Sequence, residues 1–258
     1  MKKFATLYLT FTFALLYIPI FYLIFYSFNK GGDMNQFTGM TFDHYQTLFS
    51  DSRLMSILLQ TFLLAFLSAL LATVIGTFGA IYIHHARQKY QNALLSTNNV
   101  LMVSPDVMIG ASFLILFTTL KFKLGMSSVL LSHIAFSIPI VVLMVLPRLK
   151  EMNQDMIHAA YDLGASQFQM MKEVMLPYLT PGIIAGYFMA FTYSLDDFAV
   201  TFFLTGNGFT TLSVEIYSRA RQGISLDINA LSTIVFFFSI VLVLGYYYIS
   251  QDKEEKDA

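Results

Sequence analysis

Six apolar runs, at about residues 4–28, 54–83, 100–120, 129–147, 182–204 and 228–249, leave this chain few ways to fold. Each approaches or exceeds the ~20 residues that a helix needs to cross a bilayer. In hydrocarbon a peptide group has no water to bond, so each run must satisfy its own N–H and C=O groups as a helix. The expected fold is an all-α polytopic membrane protein, one transmembrane domain over residues 1–258 with six transmembrane helices. Hydrophobic residues make up 56% of the chain and charged ones 12%, a balance that suits lipid rather than a soluble core. A net charge of −1 argues against nucleic acid as a partner. With no cysteine there is no thiolate nucleophile, no disulfide and no cysteine metal site. No G-x-x-x-x-G-K-[ST] loop occurs, so any nucleotide chemistry belongs to another chain.

The first run follows Lys2 and Lys3 as a signal peptide would, but it is too long and lacks a small-residue cleavage site. It reads as an uncleaved span with Pro19 inside it. Asn29 to Arg53 is a polar loop rich in Gly, Asp and aromatic residues. The second run is longer than a bilayer requires, and Ala72, Gly76, Gly79 and Ala80 within it suit close helix packing. His84 to Asn92 is a basic turn, and the polar Ser96-Thr97-Asn98-Asn99 leaves the start of the third run open. Thr205 to Asp227 is polar with a short helix around Glu215 to Arg221, and Gln251 to Ala258 is a charged tail.

Between the fourth and fifth runs lies a loop, residues 148–180, that carries charge and so sits outside the bilayer. Gly164 is a helix stop, because glycine tolerates the left-handed conformation just past a helix end. Ser166 with Gln169 three residues later forms a capping-box pattern that starts a second helix. Pro177 is expected to end that helix, and Thr180-Pro181 to open the next span. With six spans both termini share a side. Nine basic residues (Lys2, Lys3, Arg87, Lys89, Arg148, Lys150, Lys172, Lys253 and Lys256) fall there, against Lys30, Arg53, Lys121, Lys123, Arg219 and Arg221 opposite. Nine against six favours cytoplasmic termini.

His158, Ala159-Ala160, Tyr161, Asp162, Gly164 and then Val174-x-Leu176-Pro177 resemble the cytoplasmic loop motif E-A-A-x(3)-G-x(9)-I-x-L-P of binding-protein-dependent ABC importer permeases. His158 replaces the glutamate and Val174 the isoleucine, while the register is kept over twenty residues. The resemblance implies a type I ABC importer permease core. In that family the loop forms coupling helices that fit a cleft of the ATPase subunit. It therefore gives His158, Ala159, Ala160, Asp162, Gly164, Ser166, Leu176 and Pro177 to the ATPase contact, with His158 altering one docking contact. It also implies no enzyme activity and no cofactor in this chain, ATP and Mg being held by the partner ATPase. An ATPase can be met only where ATP is, which again puts the loop in the cytoplasm of a bacterial cell membrane.

Ionisable groups inside spans are costly and mark function by default. Asp106 falls in the third run and Asp196-Asp197 in the fifth, about 22 Å from Pro181 at ~1.5 Å per residue. No Lys or Arg lies deep in any span. Tyr193 is one turn from both aspartates and can set an aromatic face beside a cation. Carboxylates without basic partners point to a cationic small molecule. Each aspartate could instead bond backbone or a partner subunit. Glu215 and Tyr217 lie on the outer loop, where cargo enters or a binding protein docks, and a solvated loop face explains them too. His133 reads as a hydrogen-bonded interior histidine rather than a proton relay. His84-His85 lack further ligands and make no metal site.

Ser194-Leu195-Asp196-Asp197-Phe198, Phe202-Phe203-Leu204-Thr205-Gly206, Leu212 to Tyr217 and Asn229-Ala230-Leu231-Ser232-Thr233 together resemble the C-type permease of spermidine/putrescine importers. That resemblance implies polyamine as cargo, a second permease of the B type, an ATPase dimer and an external polyamine-binding protein. Within the same class iron, thiamine and sulfate importers compete, and the intramembrane acids weigh against sulfate. An ion-coupled secondary transporter would also bury acids, but no inverted repeat with paired broken helices is evident. A membrane enzyme would need a nucleophile-base or metal constellation, and none is found.

Overall fold

The computed structural model describes residues 2–206, 208–222 and 226–254. The end of the expected tail, residues 255–258, lies outside them. Among the described residues all the regular structure is helical apart from two isolated bridges, Asn29 with Met40 and Gly206 with Phe209. The chain forms two compact units, Met1–Ser56 with Glu215–Ala258, and Ile57–Val214.

In the first unit, α1 (Lys2–Tyr26) runs through Pro19, and α2 (Asp43–Ser50) follows within what the sequence marks only as polar loop. The loop is folded around buried Asn29. Its amide donates to the carbonyls of Asp33 and Gln36 at 2.9 Å each, and its oxygen accepts from Thr38 N at 2.8 Å. One side chain thus replaces the strand partners that a short irregular segment lacks. His44 on α2 reaches Asn29 O at 2.8 Å and Asp227 at 3.1 Å. Asp227 stands in the first turn of α12 (Leu226–Glu254), which packs against α1 and α2.

The second unit holds most of α3 (Ser52–His85), then α4 (Gln88–Val103), α5 (Asp106–Thr119) and α6 (Met126–Glu151). The expected third span is not a straight crossing. α4 and α5 meet at 104° across Ser104-Pro105, since Pro105 has no N–H to continue the ladder and its ring biases Ser104 to an extended conformation. The polar Ser96 to Asn99 lie in the middle of α4, a helix with no buried residue. α6 runs on through Pro147 to Glu151, so residues 148–151 belong to it and not to the loop.

The remaining helices are α7 (Gln154–Asp162), α8 (Gln167–Gln169), α9 (Leu176–Asp196), α10 (Ala199–Leu204) and α11 (Leu212–Gln222), the last confirming the short helix expected around Glu215 to Arg221. A π-helical turn, Met170–Met175, joins α8 directly to α9. Neither Pro177 nor Pro181 therefore stops or starts a helix. The wide turn already bonds Leu176 N to Met171 O, five residues back, so the chain enters Pro177 in a stretched turn with room for the ring.

Among the described residues four helices are long and apolar enough to cross a membrane, five if the bent α4–α5 pair counts as one, and Leu226–Val241 of α12 is a shorter apolar stretch. The chain is thus a multi-pass membrane protein. The core of the second unit gathers Leu64, Ile109, Phe117, Val129, Phe136, Val200, Leu204 and Phe209, drawn from α3, α5, α6, α10 and the segment after it.

The small residues of α3 do bring helices close. A Cβ at Gly76 would lie 2.7 Å from Val141 Cβ of α6, whereas one at Gly79 would meet nothing nearer than 3.9 Å. Gly76→Ala is expected to lower the melting temperature of the detergent-solubilised protein by an overpacking cost of ~1–3 kcal/mol. Gly79→Ala should leave it unchanged or slightly raised. Equal melting of the two variants would refute the close contact.

Candidate functional site

The helix that carries the acidic pair stops at Asp196, its last residue. Asp197 turns the chain with φ −60° and ψ 122°, and α10 restarts at Ala199. The two aspartates are therefore not inside one continuous span, as expected, but at a break. Their surroundings differ. Asp197 points inward with a side chain 7% exposed. Its Oδ2 accepts from Thr201 N at 2.8 Å and from Thr201 Oγ1 at 2.7 Å, and its Oδ1 faces Val200 N at 3.4 Å. This is the arrangement of a helix cap, in which a carboxylate takes the first free amides of α10.

His133 of α6, fully buried, closes the same cluster. Its Nε2 lies 2.9 Å from Thr201 Oγ1 and 3.4 Å from Asp197 Oδ2, while Nδ1 lies 2.7 Å from Ser194 Oγ of α9. Ser194 Oγ in turn lies 2.9 Å from Ser68 Oγ of α3. The expectation of a hydrogen-bonded interior histidine holds.

Asp196 and Asp106 are exposed instead. Asp106 stands in the first turn of α5, just past the 104° bend. Tyr193, 40% exposed, donates its hydroxyl to Asp106 Oδ1 at 3.0 Å, and Phe136 of α6 packs edge-on against it at 5.1 Å. The start of α5 reaches this place because Gly110 lets α5 press against α10. A Cβ there would lie 2.8 Å from Phe203 Cδ2 and 3.0 Å from Val200 Cα. The second unit thus brings together Asp106, Tyr193, Asp196 and Asp197, all four singled out from the sequence. Among the described residues no Lys or Arg lies within ion-pair distance of Asp106 or Asp196. Two exposed, uncompensated carboxylates beside a tyrosine can attract a cation and pass it on.

Glu215 and Tyr217 lie on α11. A solvated loop face does not describe Glu215, whose side chain is 8% exposed and held by Arg53 at 3.0 Å and Arg219 at 2.8 Å. Arg219 also reaches Asp51 at 3.5 Å. Tyr217 is 40% exposed, with the Arg221 guanidinium 5.9 Å from its ring centre. The Leu54 amide first, then that of Arg53 and the Arg219 guanidinium, hold the Asp51 carboxyl below its ordinary value against a partial burial that raises it. A lowered folded-state value means that Asp51 contributes stability above the ordinary carboxylate range, and that this is lost as pH falls through the lowered value. Arg219→Gln is expected to start the acid loss of thermal stability at a higher pH than wild type. Superimposable melting-temperature profiles would disprove that contribution.

In the 148–180 loop, the glycine stop and the capping box expected from the sequence are realised. Asn153 caps α7 by accepting from Asp155 N at 2.9 Å. Gly164 has φ +86°, its N–H bonds Tyr161 O at 2.9 Å, and Ala165 N bonds Ala160 O at 3.0 Å, which closes the end of α7. Ser166 and Gln169 form the reciprocal capping box, with Ser166 N to Gln169 Oε1 at 2.9 Å and Gln169 N to Ser166 Oγ at 3.3 Å. His158, Ala159, Asp162, Gly164, Ser166 and Pro177 are exposed, and Ala160 and Leu176 are partly so. The sequence reading missed the two most exposed large apolar side chains of the loop, Leu163 at 89% and Phe168 at 70%. Large apolar residues on either side of a helix-stopping glycine, in a loop outside the membrane, are the signal that could have found them.

Among the described residues no group of three or more His, Asp or Glu could hold a metal ion. His84 and His85 stack edge to face at 5.1 Å.

Residues 72–252 match the family described as binding-protein-dependent transport system inner membrane component. The chain is 37% identical over 246 residues to the spermidine/putrescine transport system permease protein PotC of Escherichia coli K12, covering 95% of this chain and 93% of that one. The PotC of Haemophilus influenzae is 34% identical over 232 residues, 90% of each chain. The putrescine transport system permease protein PotI of E. coli K12 is 31% identical over 252 residues, 95% of this chain and 90% of that one. In fold, the chain matches a bacterial ABC transporter involved in the import of the acidic polysaccharide alginate, with TM-score 0.78 at 19% identity over 96% of this chain and 94% of that one. The MetNI methionine ABC transporter matches with TM-score 0.64 at 16% identity, over 81% of this chain and 99% of that one.

Proposed function

The chain belongs to the family of binding-protein-dependent transport system inner membrane components, and from that membership we propose that it is one permease of an ATP-driven polyamine importer. ATP hydrolysis belongs to a separate ATPase subunit. The proposed assembly adds a B-type permease, an ATPase dimer and an external polyamine-binding protein in a bacterial cytoplasmic membrane. Its topology is six crossings in one domain spanning residues 1–258, with α4–α5 as a broken third crossing and α12 as the sixth. Both termini and the 148–180 elbow then face the cytoplasm.

The observation that carries the cargo assignment is the pair of exposed carboxylates around Tyr193, Asp106 and Asp196, with no ion-pair partner among the described residues. Polyamines are flexible polycations, and a path of separated acids with an aromatic between them suits ammonium groups passing in sequence. Asp197 lines the wall behind this path, where its capping contacts absorb its charge. Glu215 and Tyr217 belong to the surface where cargo arrives or the binding protein docks.

Closure of the ATPase pair pushes on the elbow through His158, Ala159, Ala160, Asp162, Gly164, Ser166, Leu176 and Pro177, with Leu163 and Phe168 as apolar anchors. The push changes which side the acidic path opens to. Only a difference in affinity between the two states moves cargo, so weak transient contacts serve better than a deep trap. Reconstituted vesicles should take up spermidine or putrescine only with ATP on the elbow side, and should continue when ion gradients are collapsed. Uptake that follows the gradients and ignores ATP would overturn the reading.

A further inference from the structure

We infer that His133 is a positioning residue for the acidic corner, holding the α9–α10 break in the geometry that turns Asp197 inward and leaves Asp196 exposed. Nothing local demands a break there. Leu195-Asp196-Asp197-Phe198-Ala199 contains neither Pro nor Gly, and the backbone angles of Asp197 and Phe198 carry no strain. Such a segment can continue as helix, so the corner is kept by contacts from elsewhere in the fold.

The imidazole bridges that corner. One nitrogen reaches Ser194, within the last turn of α9, and the other reaches Thr201 at the start of α10 and Asp197 between them. Thr201 gives its single hydroxyl proton to Asp197 and therefore accepts from His133, so Nε2 carries a hydrogen. Nδ1 faces a hydroxyl that can donate to it, and Ser68 is placed to complete that chain from α3. Ser213 of α11 donates to the Asp197 backbone carbonyl at 2.6 Å, but among the described residues no other side chain outside α9 and α10 reaches the Asp197 carboxylate. The local capping bonds from Val200 and Thr201 tie Asp197 to α10 alone. His133 ties both sides of the corner to α6. One turn along α6, Phe136 packs on the His133 ring at 4.8 Å and on Tyr193 at 5.1 Å, so the same face of α6 also supports the tyrosine that bonds Asp106. His133 has no exposed surface and touches no cargo.

The effect on transport rests on the reading of Asp196 as a cargo contact, whereas the effect on the corner does not. Both can be read in the assembled importer, because the chain contains no cysteine and a single Phe198→Cys reporter can be labelled with a water-soluble maleimide. His133→Leu is expected to raise KM for spermidine about three- to tenfold, the effect of one lost buried hydrogen bond. Binding-protein-stimulated ATPase activity should stay within about twofold, and the labelling rate at position 198 should rise several-fold. His133→Gln, which can donate toward Thr201 and accept from Ser194, should restore both. Ser194→Ala keeps the ring but removes one tie, and should shift both readouts less in the same direction, which supplies the test if the Leu variant fails to assemble. If wild type takes up no polyamine yet the labelling shifts with Leu and not with Gln, the positioning role stands and the cargo assignment fails. Unchanged labelling in the Leu and Ala variants, or a Gln variant as impaired as Leu, overturns the inference.

Discussion

Asp196→Asn in the assembled importer is expected to cut kcat/KM for polyamine uptake steeply while leaving assembly intact. Asparagine keeps the shape and one accepting oxygen, removes the charge and turns the other oxygen into a donor. A hydrogen bond to a charged group contributes ~1.5–3 kcal/mol, which is roughly ten- to a hundredfold in kcat/KM. Assembly should survive because Asp196 is exposed and has no ion-pair partner among the described residues. Asp197→Asn is the informative contrast. Its carboxylate takes both the amide and the hydroxyl of Thr201, so an amide there leaves donors facing donors inside the protein. That variant should lose thermal stability as well as transport. Initial-rate uptake together with co-purification of the partner chains separates the two cases, and uptake kinetics of Asp196→Asn equal to wild type would remove Asp196 from the path.

Gly164→Pro should uncouple the motor from the path. The residue has φ +86°, which the proline ring, fixed near −65°, cannot reach, and the N–H that bonds Tyr161 O would be lost as well. The end of α7 would have to re-form, turning Leu163 away from its present direction relative to α8. ATP hydrolysis by the complex should persist while uptake falls by about tenfold or more, since a few kcal/mol of strain far exceeds the ~1.4 kcal/mol that corresponds to a factor of ten. Gly164→Ala is milder. No atom lies within 4 Å of an added Cβ, so only the left-handed conformation costs, about 1–2 kcal/mol. It should retain coupled turnover at a reduced rate. Normally coupled transport in the proline variant would refute the docking role of the elbow.

The elbow was legible in detail because its signals are local: a glycine stop, a serine with its reciprocal glutamine, and the register of apolar positions after them. The apolar runs were legible for the same reason, since length and composition alone decide them. The breaks were not. Pro105 sits inside an apolar stretch that reads as one span, and nothing in its neighbours specifies a 104° turn. Asp196-Asp197 reads as two adjacent charges within one span until Thr201 and His133, four and sixty-four positions from Asp197, take one and leave the other. Pro177 misled in the opposite sense, because a proline is a stop only where the preceding turn is a regular α-turn. Asn29 gave no pattern at all, since its partners are backbone groups of a loop without periodicity.

The wide turn at Met170–Met175 gives the long rod from the elbow to Asp196 a built-in slack. It stores one surplus residue, and sliding that surplus by a position along the rod keeps the number of hydrogen bonds while turning only the residue it passes, by the ~100° that one residue of a 3.6-residue turn spans. The segment beyond, with Asp196 at its end, keeps its facing. Where the surplus rests thus decides which side chains of the turn face the neighbouring helices, with no change in the length of the rod.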